Sequence, residues 1–221
     1  DDNYPKKNFF DKRKSHHFVK EIKNKTWVNV YDLFLKKKEK IWPRGLPISQ
    51  AFLSKIRLSS PKKKCFYLQQ GVCEKNPDVD AIFRLMNQKI NVKFKSGLKV
   101  SLGDSFSPFN SQNTTWFREI LPLMYLPVTC SMRSTDILRS YVVLNILKKN
   151  GFKILFYGTD MFQLRNIHDL FNDFEQEKNL YKFGEKILKV LLPLNMKKGK
   201  SFLINNIYKS YQRLIAKGFL E

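Results

Sequence analysis

The clearest helical signal lies after Thr135. Ile137, Leu138, Tyr141, Val142 and Ile146, with Asn145 among them, fall at the three- and four-residue steps of one broad face. Ser134 or Thr135 stands where an N-cap belongs and Gly151 follows the basic end, so a helix capped at both ends is predicted. Ile48, Phe52, Leu53 and Ile56 also repeat at helical spacing, predicting a helix over 48–58. Strand signals are shorter. The β-branched and aromatic content of 26–30 predicts a strand, and 65–68 reads as a buried strand entering the Gln69-Gln70-Gly71 turn. Residues 91–94 and 98–102 alternate with period two around Ser96-Gly97, which predicts a hairpin. A further strand is expected over 153–157, a short helix over 116–125, and a turn or short helix from Asn76-Pro77 through Arg84. Two prolines around a glycine stiffen the loop Trp42-Pro43-Arg44-Gly45-Leu46-Pro47. From about Gln163 the chain reads as helical, with breaks near Gly184 and Pro193. Strands and helices mix throughout, so the class is α/β or α+β.

Composition excludes several alternatives. Hydrophobic residues make 43% of the 221 and aromatics 14%, too much apolar surface for a disordered tail. No window holds the roughly 18 consecutive apolar residues of a membrane span; the best apolar stretch, 120–128, is broken by Pro122 and Pro127. Three cysteines are too few and too scattered for a disulfide framework or a zinc site, which favours a reducing compartment. The net charge of +22 suggests nucleic acid or an anionic surface. Its distribution tempers that reading: +12 falls on 1–64, only +3 on 65–147 and +7 on 148–221. Lysine outnumbers arginine 32 to 9 and asparagine is abundant, so A/T-rich coding accounts for the charge as well as a binding surface does.

The polar clusters that could carry chemistry lie mostly in the near-neutral middle. Adjacent carboxylates at Asp1-Asp2, with Asn3, are either a solvated terminus or ligands for a hard divalent cation and, through it, a diphosphate. Asp78 and Asp80 put negative charge beside the Gln69-Gln70-Gly71 turn. In a helix Asp80 would pair with Arg84, and the alternative to a plain cap and ion pair is a ligand contact. Asn110-Ser111-Gln112-Asn113-Thr114-Thr115 is a run of uncharged donors and acceptors, suited to sugar hydroxyls or to an ordinary polar loop. Asp136, between Arg133 and Arg139, is predicted in the first turn of its helix, where the macrodipole keeps a carboxylate ionised. It is then a cap-region residue, a base or a hydroxyl ligand. His168 stands in a polar run with Gln163, Arg165 and Asn166, where a structural hydrogen bond is the commoner role than metal ligation. His16-His17 reads as solvated surface.

These segments, in order, resemble a known family. Asp1-Asp2-Asn3-Tyr4-Pro5, Trp42-Pro43-Arg44-Gly45-Leu46-Pro47, Gln70-Gly71 with Pro77-Asp78-Val79-Asp80-Ala81-Ile82-Phe83-Arg84-Leu85, Phe109-Asn110-Ser111-Gln112-Asn113-Thr114, Arg133-Ser134-Thr135-Asp136-Ile137-Leu138-Arg139-Ser140-Tyr141 and Gln163-Leu164-Arg165-Asn166-Ile167-His168 resemble the STELLO-type glycosyltransferase-like proteins, themselves distantly similar to UDP-arabinopyranose mutases (reversibly glycosylated polypeptides). The resemblance covers positions 1 to about 181.

It implies an α/β fold of the GT-A glycosyltransferase type and a nucleotide-sugar donor whose sugar passes to a glycan or other acceptor. It implies that Asp1 and Asp2 end a DxD-type motif holding Mn²⁺ or Mg²⁺ on the donor diphosphate, so that the metal neutralises the leaving group. His168 would be a late metal ligand. Arg44 would lie near the sugar site, and Asp136 would be an acceptor-side or base carboxylate. Asp78, Asp80, Arg84, Asn110, Gln112, Asn113, Arg133 and Arg139 complete the expected substrate-binding set. The nucleobase-binding portion of a GT-A enzyme precedes the Asp-rich motif, and the sequence opens on that motif without Met, which suggests a piece cut from something longer. The expected organisation is a GT-A-like catalytic portion over 1–160, lacking that N-terminal part, with a helical segment over 161–221 packed on it. A cytoplasmic or membrane-peripheral location is expected, with any anchor left to an upstream region. Two rival functions stand beside the first: a noncatalytic relative that binds and organises other glycosyltransferases, and a basic nucleic-acid-binding protein, the less favoured of the two.

Overall fold

The computed structural model describes residues 2–6, 14–37, 40–52, 55–87 and 89–220. Its centre is the strand β7, Ile154–Leu164, whose first eight residues are all buried. The apolar run Ile-Leu-Phe-Tyr suits a strand covered on both faces. β4 (Leu68–Lys75) lies parallel to β7 on one side and carries β6 (Thr114–Trp116) antiparallel on its far edge. Two strands share the other side of β7. β5 (Lys99–Ser101) pairs with residues 155–157, and β1 (Asp2–Pro5) pairs with residues 161–164. β2 (His16–Glu21) and β3 (Lys62–Cys65) extend the sheet beyond β5. The result is a seven-stranded mixed sheet.

At Gly158, between those two partners, the 95–98 loop passes against the strand. Gly158 N donates to Leu98 O at 2.7 Å. A Cβ on Gly158 would sit 2.2 Å from Lys95 O and 2.3 Å from Ser96 O, so no other residue fits without moving backbone.

Among the described residues five α-helices accompany the sheet: α1 (Tyr31–Phe34), α2 (Ala81–Met86), α3 (Met132–Lys149), α4 (Leu170–Leu191) and α5 (Leu203–Ile215). α3 is buried on every side from Ser134 to Leu147. Some of its polar members bond within the core: Ser140 Oγ donates to Ile137 O at 2.7 Å and Asn145 Nδ2 to Leu191 O at 2.8 Å. α4 buries a stripe of Asp173, Glu177, Leu180, Gly184, Ile187 and Leu191, the one-face repeat of a helix. One hydrophobic cluster reaches from Ile22 to Leu214 and includes residues of α3, α4 and α5. The mixed α/β class and the GT-A-like expectation agree with this arrangement.

Several local expectations fail for identifiable reasons. Residues 26–30 form no strand; Trp27 makes an isolated bridge to Phe106 and the chain turns into α1. The 48–58 helix reduces to a single 3-10 turn, Ile48–Gln50, and residues 53 and 54 lie outside the described ones. The hairpin around Ser96-Gly97 is absent. Val92 bridges Lys75, Phe94 bridges Leu35, and β5 pairs with β2 and β7. Alternation marked residues with one face buried but could not name their partners. Residues 116–125 divide between the end of β6 and a 3-10 segment, Arg118–Met124, kinked at Ile120. β7 runs across residue 160, and α4 passes through Gly184 unbroken. Among the described residues no helix is long and apolar enough to cross a membrane.

Candidate functional site

The stiff loop after Trp42 delivers Arg44 into the interior. Gly45 adopts φ +86°, and a Cβ there would fall 2.2 Å from Ile137 Cγ2, so the loop can lie on α3 only with glycine. Arg44 N donates to Asp78 O at 3.1 Å, which fixes this loop to the one leading into α2. The guanidinium then sits between two carboxylates. Nε and Nη2 donate to Asp78 Oδ1 and Oδ2, both at 2.9 Å, the paired geometry of a bidentate fork. Nη1 and Nη2 donate to Asp136 Oδ1 and Oδ2 at 3.0 and 3.2 Å, and Nη1 also donates to the Arg133 carbonyl. Burial opposes the Arg44 charge, but Asp78 and Asp136 outweigh it and hold its pKa well above the usual value. Burial likewise opposes the Asp78 carboxylate, and Arg44 outweighs it, so Asp78 titrates below its ordinary range.

Asp136 is one turn inside α3, which is capped at Ser131, and not in the first turn as the sequence suggests. Ser134 and Thr135 are not caps. Ser134 Oγ donates to Gln176 O at 2.6 Å and Thr135 Oγ1 to Pro127 O at 2.7 Å. Asp136 Oδ2 takes a second donor, Ser111 N, at 3.0 Å. Arg139, one turn further along α3, donates from Nη2 to Ser111 Oγ at 2.8 Å and stands 5.1 Å over the Trp116 ring. The Asn/Ser loop is thereby tied to α3 through Ser111.

A second charged cluster continues from the same helix. Arg133 Nε donates to Glu177 Oε1 at 2.9 Å and lies 3.6 Å from Asp173 Oδ1. Asp173 Oδ2 accepts from Arg165 Nη2 at 2.6 Å and lies 3.6 Å from His168 Nδ1. Burial and the neighbouring Arg165 lower the His168 pKa, with Asp173 opposing them. Glu177 is fully buried; its Oε2 accepts Ala81 N at 2.9 Å and the Tyr181 hydroxyl at 2.6 Å.

The remaining expected residues take structural positions. Asp80 is fully buried. It caps α2 through Phe83 N at 2.8 Å and accepts the Trp42 indole N–H at 2.5 Å. The expected Asp80–Arg84 pair is absent: Arg84 Nη2 donates to Pro77 O at 2.8 Å. Asn110 and Asn113 are buried and their amides engaged. Asn110 Oδ1 accepts Gln70 Nε2 and Gln112 N, while Asn113 Nδ2 donates to Asp160 Oδ1 at 2.7 Å. These two asparagines pin the loop to β4 and β7. Gln112 Nε2 reaches Gln163 Oε1 at 2.5 Å.

The described residues do not fit the metal the family resemblance implies. Asp2 is exposed on β1, and His168 faces Asp173 with the Arg165 guanidinium beside it. No group of three or more His, Cys, Asp or Glu side chains among the described residues could hold an ion. Asp1 lies outside the described residues. Sequence reasoning missed Asp173 and Glu177, although their four-residue spacing at the head of the α4 stripe was a readable signal.

The family model for STELLO glycosyltransferases matches residues 133–221. Two Arabidopsis thaliana proteins, named probable glycosyltransferase STELLO1 and probable glycosyltransferase STELLO2, are 28% and 26% identical to the chain over 192 residues, 82% of its length. The chain spans 24% of the length of each. The similarity to STELLO-type glycosyltransferases seen in the motifs is thus found independently, and the matched region begins at Arg133.

Proposed function

We propose that the chain is part of a nucleotide-sugar-dependent glycosyltransferase that passes a sugar to a glycan or other acceptor. One observation carries this reading. The region similar to STELLO glycosyltransferases contains Arg133, Asp136, Arg165, His168, Asp173 and Glu177, and the fold gathers these side chains into two adjoining charged clusters, Asp136 with Arg44 and Asp78, and Arg133 with Glu177, Asp173, Arg165 and His168, which meet where Arg44 donates to the Arg133 carbonyl. In transfer an acceptor hydroxyl oxygen becomes bonded to the anomeric carbon and its proton is released to solvent, while the bond between that carbon and the diphosphate oxygen breaks and its electron pair leaves with the diphosphate. Fixed guanidiniums suit that developing charge, because they need no reorganisation as it forms.

Asp136 serves here as a positioning residue: it holds Arg44 and the Ser111 amide in place, and three donors already engage its oxygens.

Release of nucleoside diphosphate from a panel of nucleotide sugars, with Mn²⁺, Mg²⁺ or EDTA and a mixed glycan acceptor, tests the reading. We expect release from at least one donor, and none from any donor would overturn the reading. An Asp136→Asn variant should keep kcat within about tenfold with an unshifted pH profile, whereas a general base would lose about 10²–10⁴-fold.

The noncatalytic, organising role has one observation in its favour. Leu121, Met124, Tyr125, Val128 and Met132 are exposed within twelve residues, with Val128 88% exposed. Exposed apolar side chains so close in the chain suit a protein partner such as another glycosyltransferase.

A further inference from the structure

A cavity of about 330 Å³ opens between α2 and the loop joining β7 to α4. Arg84, Arg165, His168, Asn76, Asn87 and Asn166 line it together with two aliphatic side chains, and none of its lining residues is acidic. Arg84 is buried, with a relative exposure of 4%, and its Nε has no hydrogen-bond partner among the described residues. A buried donor on a cation that lacks its acceptor is costly, and such groups in native proteins need an explanation. Burial first, and then the nearby Arg165, bring the Arg84 pKa down to about 10, with Asp78 opposing. Two guanidiniums therefore border one polar cavity, with amides alongside, and Asp173 engages one of them, 2.6 Å from Arg165 Nη2.

We propose that this cavity is an anion site for a phosphate-class ligand, held by Arg84 and Arg165 without need of a metal. Arginine presents several N–H groups in a planar fork that matches phosphoryl oxygens, and asparagine amides can complete the shell. The volume exceeds what a single phosphate needs and suits a diphosphate. That the anion is the donor's diphosphate rests on the glycosyltransferase reading; the anion site itself does not.

Titration calorimetry with inorganic pyrophosphate in EDTA tests the proposal. Saturable binding is expected, with affinity falling about tenfold or more in Arg84→Met, which removes charged hydrogen bonds, and in Asn166→Asp, which adds a repelling carboxylate. Arg84→Met also removes the Nη2 hydrogen bond to Pro77 O, so its affinity is read only after circular dichroism shows the variant folded. Asn166→Asp, at an exposed position, gives a second readout if Arg84→Met fails to fold. No saturable binding, or unchanged affinity in the folded variants, would overturn the site. Competition of pyrophosphate by UDP assigns the ligand to a nucleotide donor. Pyrophosphate binding that UDP cannot displace leaves the anion site standing as one for free phosphate anions and sinks the donor reading alone.

Discussion

At the scale of single residues, Asp80 shows how burial decides the role of a carboxylate. Burial raises its pKa, the Phe83 amide and the Trp42 indole pull it back, and the balance stands at about 6. An acid whose folded pKa lies above its unfolded value takes up its proton earlier in the native state. Its contribution to stability is therefore greatest at low pH and is lost as pH rises from the ordinary 3.8 through about 6. Asp78 has the opposite sign: its lowered pKa gives stability that is present above 3.8 and lost as pH falls below that. The indole N–H favours the ionised form of Asp80, so Trp42→Phe should cost more at pH 7, where Asp80 is charged and short of a donor, than at pH 5. Urea denaturation at the two pH values measures the difference; an equal loss at both would deny Trp42 this part. The sequence showed Asp80 beside Arg84, four residues away, but its true partner lies 38 residues back. Local spacing predicts local pairs, and the same limit hid Arg44's grip on Asp136, although both residues were singled out as site candidates.

At the scale of elements, α3 packs against α4. The Tyr141 hydroxyl donates to Gly45 O, and a Cβ placed on Gly184 would stand 3.0 Å from that hydroxyl oxygen. Tyr141 is fully buried and its hydroxyl is committed, so it cannot retreat. Gly184→Ala should therefore gain nothing in the wild-type background. In Tyr141→Phe, which lacks the obstructing oxygen, the same change should recover a helix-propensity gain of up to about 1 kcal/mol. A double-mutant cycle by chemical denaturation reads the coupling, and simple additivity would refute the contact. This contact explains why glycine was misread as a break: in the sequence a helix glycine looks like a terminus, and only the packed partner gives it another purpose. α3 itself was legible, because its apolar face is broad and Gly151, at φ +73°, ends it in the left-handed conformation expected after a basic last turn. The β pairings were not legible. β1, β5 and β4 all attach to β7 from distant parts of the chain, and alternation carries no address for a partner.

The whole molecule raises the question of where its cooperative boundary lies. The sequence suggested a division at residue 160, yet β7 runs from 154 to 164 through that point and pairs on both sides of it with β1, β4 and β5. Beyond it, α4 supplies the carboxylates that hold Arg133, while Leu191, Leu203 and Leu214 join the same apolar cluster as Ile146 and Leu68. Such a core should unfold as one unit, and the distribution of chromophores makes the claim testable. All three tryptophans, at 27, 42 and 116, precede residue 160, whereas α4 and α5 follow it. Tryptophan fluorescence thus reports the first part, and far-UV circular dichroism draws heavily on the second. Leu214 is fully buried on α5, and Leu214→Ala should cost about 2–5 kcal/mol as a large-to-small change in a core. If the molecule is one cooperative unit, both probes shift together to the same lower urea midpoint. A fluorescence transition that stays in place while the dichroism transition moves would restore the boundary at 160 and make the C-terminal helices a separately folding segment.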